Sequence, residues 1–333
     1  MNILITGGLG YIGSHLACLI NTKKYRVFII DNLSNSKITT FKKINAINPN
    51  IKDFTKIDLK NEIKLINYLK IKKIDLVIHL AGLKSVPASF SKSKEYYENN
   101  ILGSANLIKG MKKNNINKLI FSSSATVYSS NINSSISEKN KIQPNNIYGF
   151  TKKTVEDLIS LNSKLFDLNY IILRYFNPAG CHSNKILGEE TIGIPNNLFP
   201  YIGQIISKKK KFLKIYGKNY KTRDGTGARD YIYIEDLIDA HIKSIEILNK
   251  KNIQEFVNIG SGKLITVKQV LDEFYKSCRI KIKHKYFPKR SGDIDSLYTD
   301  IKKSKKILNW RPKKNISDIC KSVYFYYNNE KNN

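Results

Sequence analysis

A chain of 333 residues, 41% hydrophobic and 25% charged, is long enough to bury a full core and has the balance of a globular protein. No apolar run approaches the roughly 20 residues of a membrane span, and Met1 leads straight into Ile3-Leu4-Ile5, so neither a span nor a secretory signal is expected. The formal charge of +30 would suit a nucleic-acid partner, but it is nearly all lysine, spread through every segment beside abundant Asn and Ile; it reads as solvated faces, and nucleic acid is not the expected partner.

The first predicted element is a short apolar strand, Asn2 to Thr6, followed by Gly7-Gly8-Leu9-Gly10-Tyr11-Ile12-Gly13 and a helical period through Ile12, Leu16, Leu19 and Ile20. Strand, glycine turn, helix is the context that gives a glycine motif meaning. Gly7, Gly10 and Gly13 permit a tight turn, close approach to a pyrophosphate and close helix packing, and free N–H groups at the helix start favour phosphates. The second strand, Val27 to Ile30, ends in Asp31, about 20 positions on, where a carboxylate accepts from ribose hydroxyls and repels a 2′-phosphate. NAD is therefore expected over NADP. Asn32, Asn35 and Ser36 follow in a polar loop on the adenosine side.

The pattern repeats. Phe54–Ile57 ends at Asp58, placed to meet the adenine amine, and Asp75–His79 ends at Leu80-Ala81-Gly82, small enough for a cofactor to pass. His79 closes an apolar strand and reads as a satisfied core histidine. A long helix is expected over Ser93–Lys113, with a less charged stripe (Tyr96, Tyr97, Asn100, Ile101, Ala105, Leu107, Ile108, Met111) able to pair with the helix after Tyr148 across a homodimer interface. Leu119–Phe121 ends at Ser122, Ser123 and Ser124, and Tyr170–Leu173 ends at Arg174-Tyr175-Phe176-Asn177. Such alternation implies an α/β fold, a Rossmann-type doubly wound parallel sheet with ligands at the strand carboxyl ends.

Tyr148 and Lys152 stand four apart, on one face of a helix, where an ammonium favours the phenolate and should lower a phenol pKa that starts near ~10. Tyr68/Lys72, Tyr298/Lys302 and Tyr327/Lys331 share that spacing, so the serine-ended strand and the glycine loop, not the pair, select Tyr148/Lys152.

After Asn177 the alternation loosens. A helix follows Asn197-Leu198, Leu213–Gly217 reads as a lone strand, and Ile232–Ile234 follows a turn-rich loop. Arg229 and Arg290, two of only seven arginines, lie beside aspartates in loops; forked phosphate contacts or local salt bridges would each account for them. The cysteines Cys18, Cys181, Cys278 and Cys320 have no metal-ligand spacing, so no metal and a reducing, cytoplasmic setting are expected. The chain is expected to divide into a NAD-binding domain over 1–176, to which it returns around 229–260, and a smaller, mainly substrate-binding lobe over 177–333. The last dozen residues are expected to fray.

In order, GGLGYIG, DNLSNS, HLAGLKSV, SSSATVY, YGFTK, LRYFNPAG, GIPNNL, GTGARDYIYIEDL, RSGD and LNWRP resemble the extended short-chain dehydrogenase/reductase superfamily from Asn2 to about Pro312, and within it the UDP-hexose 4-epimerases. The resemblance implies tightly held NAD and a homodimer. It implies interconversion of UDP-glucose and UDP-galactose through a 4-keto sugar, with Tyr148 taking the 4-hydroxyl proton, Ser124 bridging the 4-oxygen and Lys152 holding the nicotinamide ribose. By the same resemblance Tyr11, Ile12, Leu59, Leu80, Lys84, Asn99 and Phe176 complete the cofactor contacts. UDP would be gripped by Asn177, Asn197, Leu198, Tyr216, Arg229, Arg290 and Asp293. Related 4,6-dehydratases use an Asp-Glu pair where this chain has Ala125 and Thr126, which argues against dehydration. Leu297 stands where relatives carry a bulky tyrosine or a smaller residue, so UDP-N-acetylhexosamines are an alternative substrate class. The rival from another class is a non-catalytic NAD-sensing or nucleic-acid-binding relative. Ser129 departs from the usual glycine after SSSATVY.

Overall fold

The structure is a computed structural model that describes residues 1–129, 135–190, 193, 195, 197–290 and 294–329. Its chain forms two compact units, residues 1–129, 141–175 and 240–257 in the first and 130–140, 176–239 and 258–333 in the second. Among the described residues no helix is long and apolar enough to cross a membrane.

The first unit is built on a sheet of strands, most of them nearly continuous apolar runs, as a sheet covered on both faces requires. These are β1 (Asn2–Thr6), β2 (Arg26–Asp31), β3 (Asp53–Lys56), β4 (Leu76–His79), β5 (Lys118–Ser124) and β6 (Asn169–Tyr175). Ile3, Leu4, Ile5, Ile29, Val77, Ile78, Ile120, Ile171 and Ile172 are fully buried. A seventh strand over Gln254–Ile259 completes the order β(254–259)-β6-β5-β4-β1-β2-β3. β1 pairs in parallel with both β2 and β4, so the direction of winding reverses there. A ligand crevice opens at such a reversal, outside the carboxyl ends of the strands. The helices are α1 (Tyr11–Leu19), α2 (Ile38–Ile47), α3 (Glu62–Lys72), α4 (Val86–Ser91), α5 (Ser93–Tyr96), α6 (Gly103–Lys113) and α7 (Ile147–Phe166).

Two expectations in this unit are corrected. The helix over Ser93–Lys113 contains a π-helical turn, Tyr97–Leu102, between α5 and α6. The wider turn carries Asn100, which is buried and bonded to the Leu83 N–H (2.8 Å), the Leu83 carbonyl (3.0 Å) and Thr151 Oγ1 (3.0 Å). π-turns are frequent where a helix must present one such residue. β5 does not stop at Phe121 but runs on through the serines, all seven residues pairing with β6. Ser123 and Ser124 are buried, with side-chain partners that let the strand continue.

The second unit carries short strands: β7 (Asn177–Ala179) parallel to β10 (Tyr231–Tyr233), and β9 (Ala228–Arg229) between β12 (Ile265–Thr266) and β14 (Ser296–Leu297). β8 (Leu213–Tyr216) is not alone; it pairs in parallel with β13 (His284–Phe287), a strand hidden among lysines in the sequence. β11 is the Gln254–Ile259 strand already described. The remaining helices are α8 (Leu198–Ile206), α9 (Ile234–Lys250), α10 (Val267–Cys278), α11 (Lys302–Leu308) and α12 (Ile316–Asn329). The tail expected to fray is helical to Asn329, because Tyr326 and Tyr327 are buried, their rings edge to face at 4.9 Å.

Candidate active site

The turn after β1 is shaped by its glycines. Gly7 has φ +66°, and a Cβ there would stand 2.7 Å from the Ala81 backbone after β4. At Gly13 a Cβ would meet Gly8 Cα at 2.6 Å, so α1 lies directly on the turn. Gly10 caps α1 without a side-chain bond, and the first turn has no acidic residue. A helix start of this kind favours an anion, with the positive end of the helix dipole behind it. This cradle fits the pyrophosphate of a dinucleotide.

Asp31, at the end of β2, is buried and already engaged. It accepts from the Leu9 N–H (3.1 Å), the Leu33 N–H (2.9 Å) and Ser36 Oγ (2.8 Å), fixing the glycine turn and the following loop. Asn32 donates to Asp58 Oδ2 (3.2 Å) and Asn35 is exposed. Leu59 is buried, while Leu80 and Ala81 are half-buried beside β1, the Ala81 N–H reaching Thr6 Oγ1 (3.3 Å). Tyr11 and Ile12 are half-buried, Gly82 and Lys84 exposed, and the Lys84 ammonium stands 5.6 Å from the centre of the Tyr11 ring. Asn99 turns back onto its own helix, donating to the Glu95 carbonyl (2.8 Å). His79 is the satisfied core histidine its position suggests, 2.7 Å from both Thr6 Oγ1 and Ser104 Oγ. Burial, and secondly Lys152, push its pKa down to about 3.

α7 starts at a cap, Asn146 Oδ1 accepting from the Gly149 N–H (2.8 Å). It presents Tyr148 and Lys152 to the end of β5. Lys152 is buried, donates to the Ser122 carbonyl (2.7 Å), and stands 4.9 Å from the centre of the Phe121 ring and 5.9 Å from that of Tyr148. Tyr148 is half-buried by exposure, and Ser124 is the neighbour that acts to lower the pKa of its hydroxyl. The expected lowering of its pKa is not seen. Desolvation pushes Tyr148 up to about 12, more than the Ser124 bond pulls it down, and Tyr96 adds to the rise. Lys152 is itself pushed down to about 8 by burial, opposed by Glu156. In the ligand-free chain both groups lean towards their neutral forms, and added positive charge near the phenol would be needed to ionise it.

In the second unit, Phe176 is buried and its N–H donates to the Ile259 carbonyl (3.0 Å). Asn177 donates its amide to the Asp230 carbonyl (3.1 Å), Asn197 reaches Glu189 (3.1 Å), and Leu198 opens α8. Tyr216 and Arg290 come together, the guanidinium 3.8 Å from the ring centre. Arg229 is not bridged to Asp230; it donates to the Ala228 and Ile294 carbonyls (2.8 and 3.0 Å). The Asp230 carboxylate instead accepts from the N–H groups of Ser261, Gly262 and Thr299. Leu297 pairs beside Arg229. Asp293 lies outside the described residues, so its partner is not described.

Sequence reading missed Asn100, whose only signal was its place next to Asn99. It also missed a buried group around Glu156, one turn beyond Lys152 on the same helix.

The family described as GDP-mannose 4,6 dehydratase matches residues 4–323. The chain is similar to UDP-glucose 4-epimerase 2 of Oryza sativa subsp. japonica, 39% identical over 97% of this chain and 80% of that one. In fold it is similar to the UDP-glucose 4-epimerase of Stenotrophomonas maltophila with bound NAD and formylated UDP-arabinopyranose, at TM-score 0.96 and 32% identity over 100% and 99% of the two chains. It is likewise similar to the Bifidobacterium longum enzyme in complex with NAD+ and UDP, at TM-score 0.93 and 34% identity over 100% and 99%. Likeness of sequence and fold along nearly the whole length, on a sheet carrying this glycine turn and this tyrosine and lysine, places the chain in the UDP-glucose 4-epimerase family of the extended short-chain dehydrogenases/reductases.

Proposed function

We propose that the chain interconverts UDP-glucose and UDP-galactose by reversible oxidation at sugar C4, through a 4-keto sugar, with NAD bound. The observation that carries this reading is the grouping of Ser124, Tyr148 and Lys152 at the end of β5, in the unit that also holds the glycine cradle. NAD, when bound, supplies the hydride acceptor and donor. Gly7, Gly10, Tyr11, Ile12 and Gly13 would cradle its pyrophosphate, Asp31 with Asn32, Asn35 and Ser36 its adenosine ribose, and Asp58 and Leu59 its adenine. Leu80, Ala81, Gly82, Lys84, Asn99 and Phe176 would line the remainder, and Lys152 would hold the nicotinamide ribose.

Tyr148 takes the proton of the C4 hydroxyl and returns it to the C4 oxygen on either face, while Ser124 keeps that oxygen within reach. Asn177, Asn197, Leu198, Tyr216, Arg229, Arg290 and Asp293 grip UDP. This remote grip leaves the sugar free to turn between the two hydride transfers. Elimination of water would need an acid and a base after Ser124. The 3₁₀ turn there carries Ala125 and Thr126, and the Thr126 hydroxyl is spent on Ser124 (3.0 Å). Leu297, smaller than tyrosine and beside Arg229, leaves UDP-N-acetylglucosamine as a second substrate to assay.

Incubated with UDP-galactose and no added cofactor, the purified protein should yield UDP-glucose, and denaturation should release NAD and no NADP. Absence of product from protein that carries NAD would refute the assignment.

The protein acts as a cytoplasmic homodimer in this reading. Support for the dimer comes from Phe150, Leu161 and Leu165 of α7, which are 51–61% exposed, and from Tyr97, whose ring meets that of Phe150 edge to face at 6.4 Å. An apolar stripe of this size on one helix face seeks a partner. The double change Leu161→Glu, Leu165→Glu should give monomers by sedimentation velocity. A dimer that persists at micromolar concentration would move the interface elsewhere.

A further inference from the structure

Behind the reacting residues lies a buried charged group that takes no part in the chemistry above. Glu156, on α7 one turn past Lys152, and Arg174, on β6, have side chains only 1% and 5% exposed. Arg174 donates through Nε to Glu156 Oε1 (2.9 Å) and through Nη2 to Oε2 (2.7 Å). Its Nη1 donates to the Tyr128 hydroxyl (2.9 Å), and Ser123 Oγ donates to Glu156 Oε1 (2.6 Å). The guanidinium lies over the rings of Tyr128 and Phe256, 5.1 and 4.7 Å from their centres. The group joins α7, β5, β6 and the turn after Ser124. A buried ion pair contributes little net stability over a packed apolar pair, so its consequence at this place is one of orientation.

We propose that Glu156 and Arg174 are positioning residues for the epimerisation, fixing the helix that carries Tyr148 and Lys152 in register with the strand that carries Ser124. The proposal rests on the reading of Tyr148, Ser124 and Lys152 given above.

The pair also sets the field at Lys152. Lys152 meets Tyr148 and Glu156 from α7 and His79 from β4, with Tyr96 from α5 and Tyr175 from β6 beyond Tyr148, and Arg174 from β6 reaches it only through its ion pair with Glu156. His79 and the tyrosines are held neutral by burial, so the carboxylate that favours a charged Lys152 is that of Glu156, and the Arg174 guanidinium paired with it carries the opposite charge. Glu156→Gln removes the anion and leaves Arg174 positive, so Lys152 loses its proton at lower pH. Arg174→Gln does the reverse.

In the NAD-loaded protein, the alkaline limb of kcat should move down by roughly one pH unit in Glu156→Gln and up by a similar amount in Arg174→Gln. Glu156→Asp, which keeps the charge, should restore the limb. The Lys152 resonance in ¹³C-lysine-labelled protein, identified by its loss in Lys152→Met, should titrate with the same opposed displacements. Ser123→Ala and Tyr128→Phe, which keep both charges, should lower kcat several-fold at unchanged KM and leave the limb in place. They serve as the test if the charge variants do not fold. Limbs and resonances that stay put, or move the same way in both charge variants, would overturn the proposal, as would unaltered kcat in both hydrogen-bond variants. The resonance needs no turnover, so a wild type without epimerase activity would refute the functional reading and leave this arm standing.

Discussion

Tyr148→Phe should fold, retain NAD in the wild-type ratio, and lose about 10³-fold in kcat, within the 10²- to 10⁴-fold that a positioned acid–base contributes. Phenylalanine keeps the ring that faces Lys152 and gives up only the hydroxyl. The fold does not depend on that hydroxyl, because α7 is held by the Asn146 cap and by Thr151, which bonds to the Tyr148 carbonyl (2.8 Å) and to Asn100. What disappears is the group proposed to accept and return the proton of the C4 hydroxyl. Water is a poor substitute in a site with this much desolvation, as the rise of the phenol to about 12 shows. Turnover by Tyr148→Phe within ten-fold of wild type, measured as UDP-galactose consumed, would remove this residue from the mechanism. Retained NAD matters to the interpretation, since loss of cofactor would lower the rate without touching proton transfer.

The parts of this site that sequence reveals are those whose chemistry is local. Gly7, Gly10 and Gly13 follow one apolar strand and open one helix, so spacing alone defines the turn, and Asp31 ends the next strand. Tyr148 and Lys152 are harder, because three other pairs share their spacing. Tyr68 and Lys72 show the alternative use, a buried ring on α3 with the lysine stem across it, 5.9 Å from ring centre to ammonium. Contacts between distant segments leave no such trace. β8 and β13 pair across some seventy positions, and Lys285 with the lysines flanking β13 masks its period. The π turn at Asn100 follows from a bond to Leu83 and another to Thr151, neither of which a helical period contains. The sign of the Tyr148 shift depends on how deeply α7 seats its first turn, and that depth is a property of packing. Spacing gave Lys152 as the neighbour expected to lower the pKa, whereas the downward pull comes from Ser124 and is outweighed by a desolvation that spacing could not give.

Lys152→Met should stabilise the cofactor-free chain at pH 7 by about 2 kcal/mol while lowering kcat more than a hundred-fold. Burial has moved Lys152 from 10.5 to about 8, a destabilisation of about 3 kcal/mol at neutral pH, and loss of its bond to the Ser122 carbonyl offsets about 1 kcal/mol of the gain. The pH dependence fixes the cause. Below pH 8 both folded and unfolded chains carry the ammonium, so the full cost of burying it is present. Between pH 8 and 10.5 the folded chain releases its proton first and the cost declines, and above 10.5 neither state is charged. The advantage of the methionine variant, read from urea denaturation, should therefore be greatest at pH 7 and shrink as pH climbs past 8. A variant less stable than wild type at pH 7, or a gap that does not change with pH, would mean that the ammonium is not buried at a cost. A lysine that weakens the fold where a methionine of similar length would strengthen it would mark a position at which stability is exchanged for the charge proposed to hold the nicotinamide ribose.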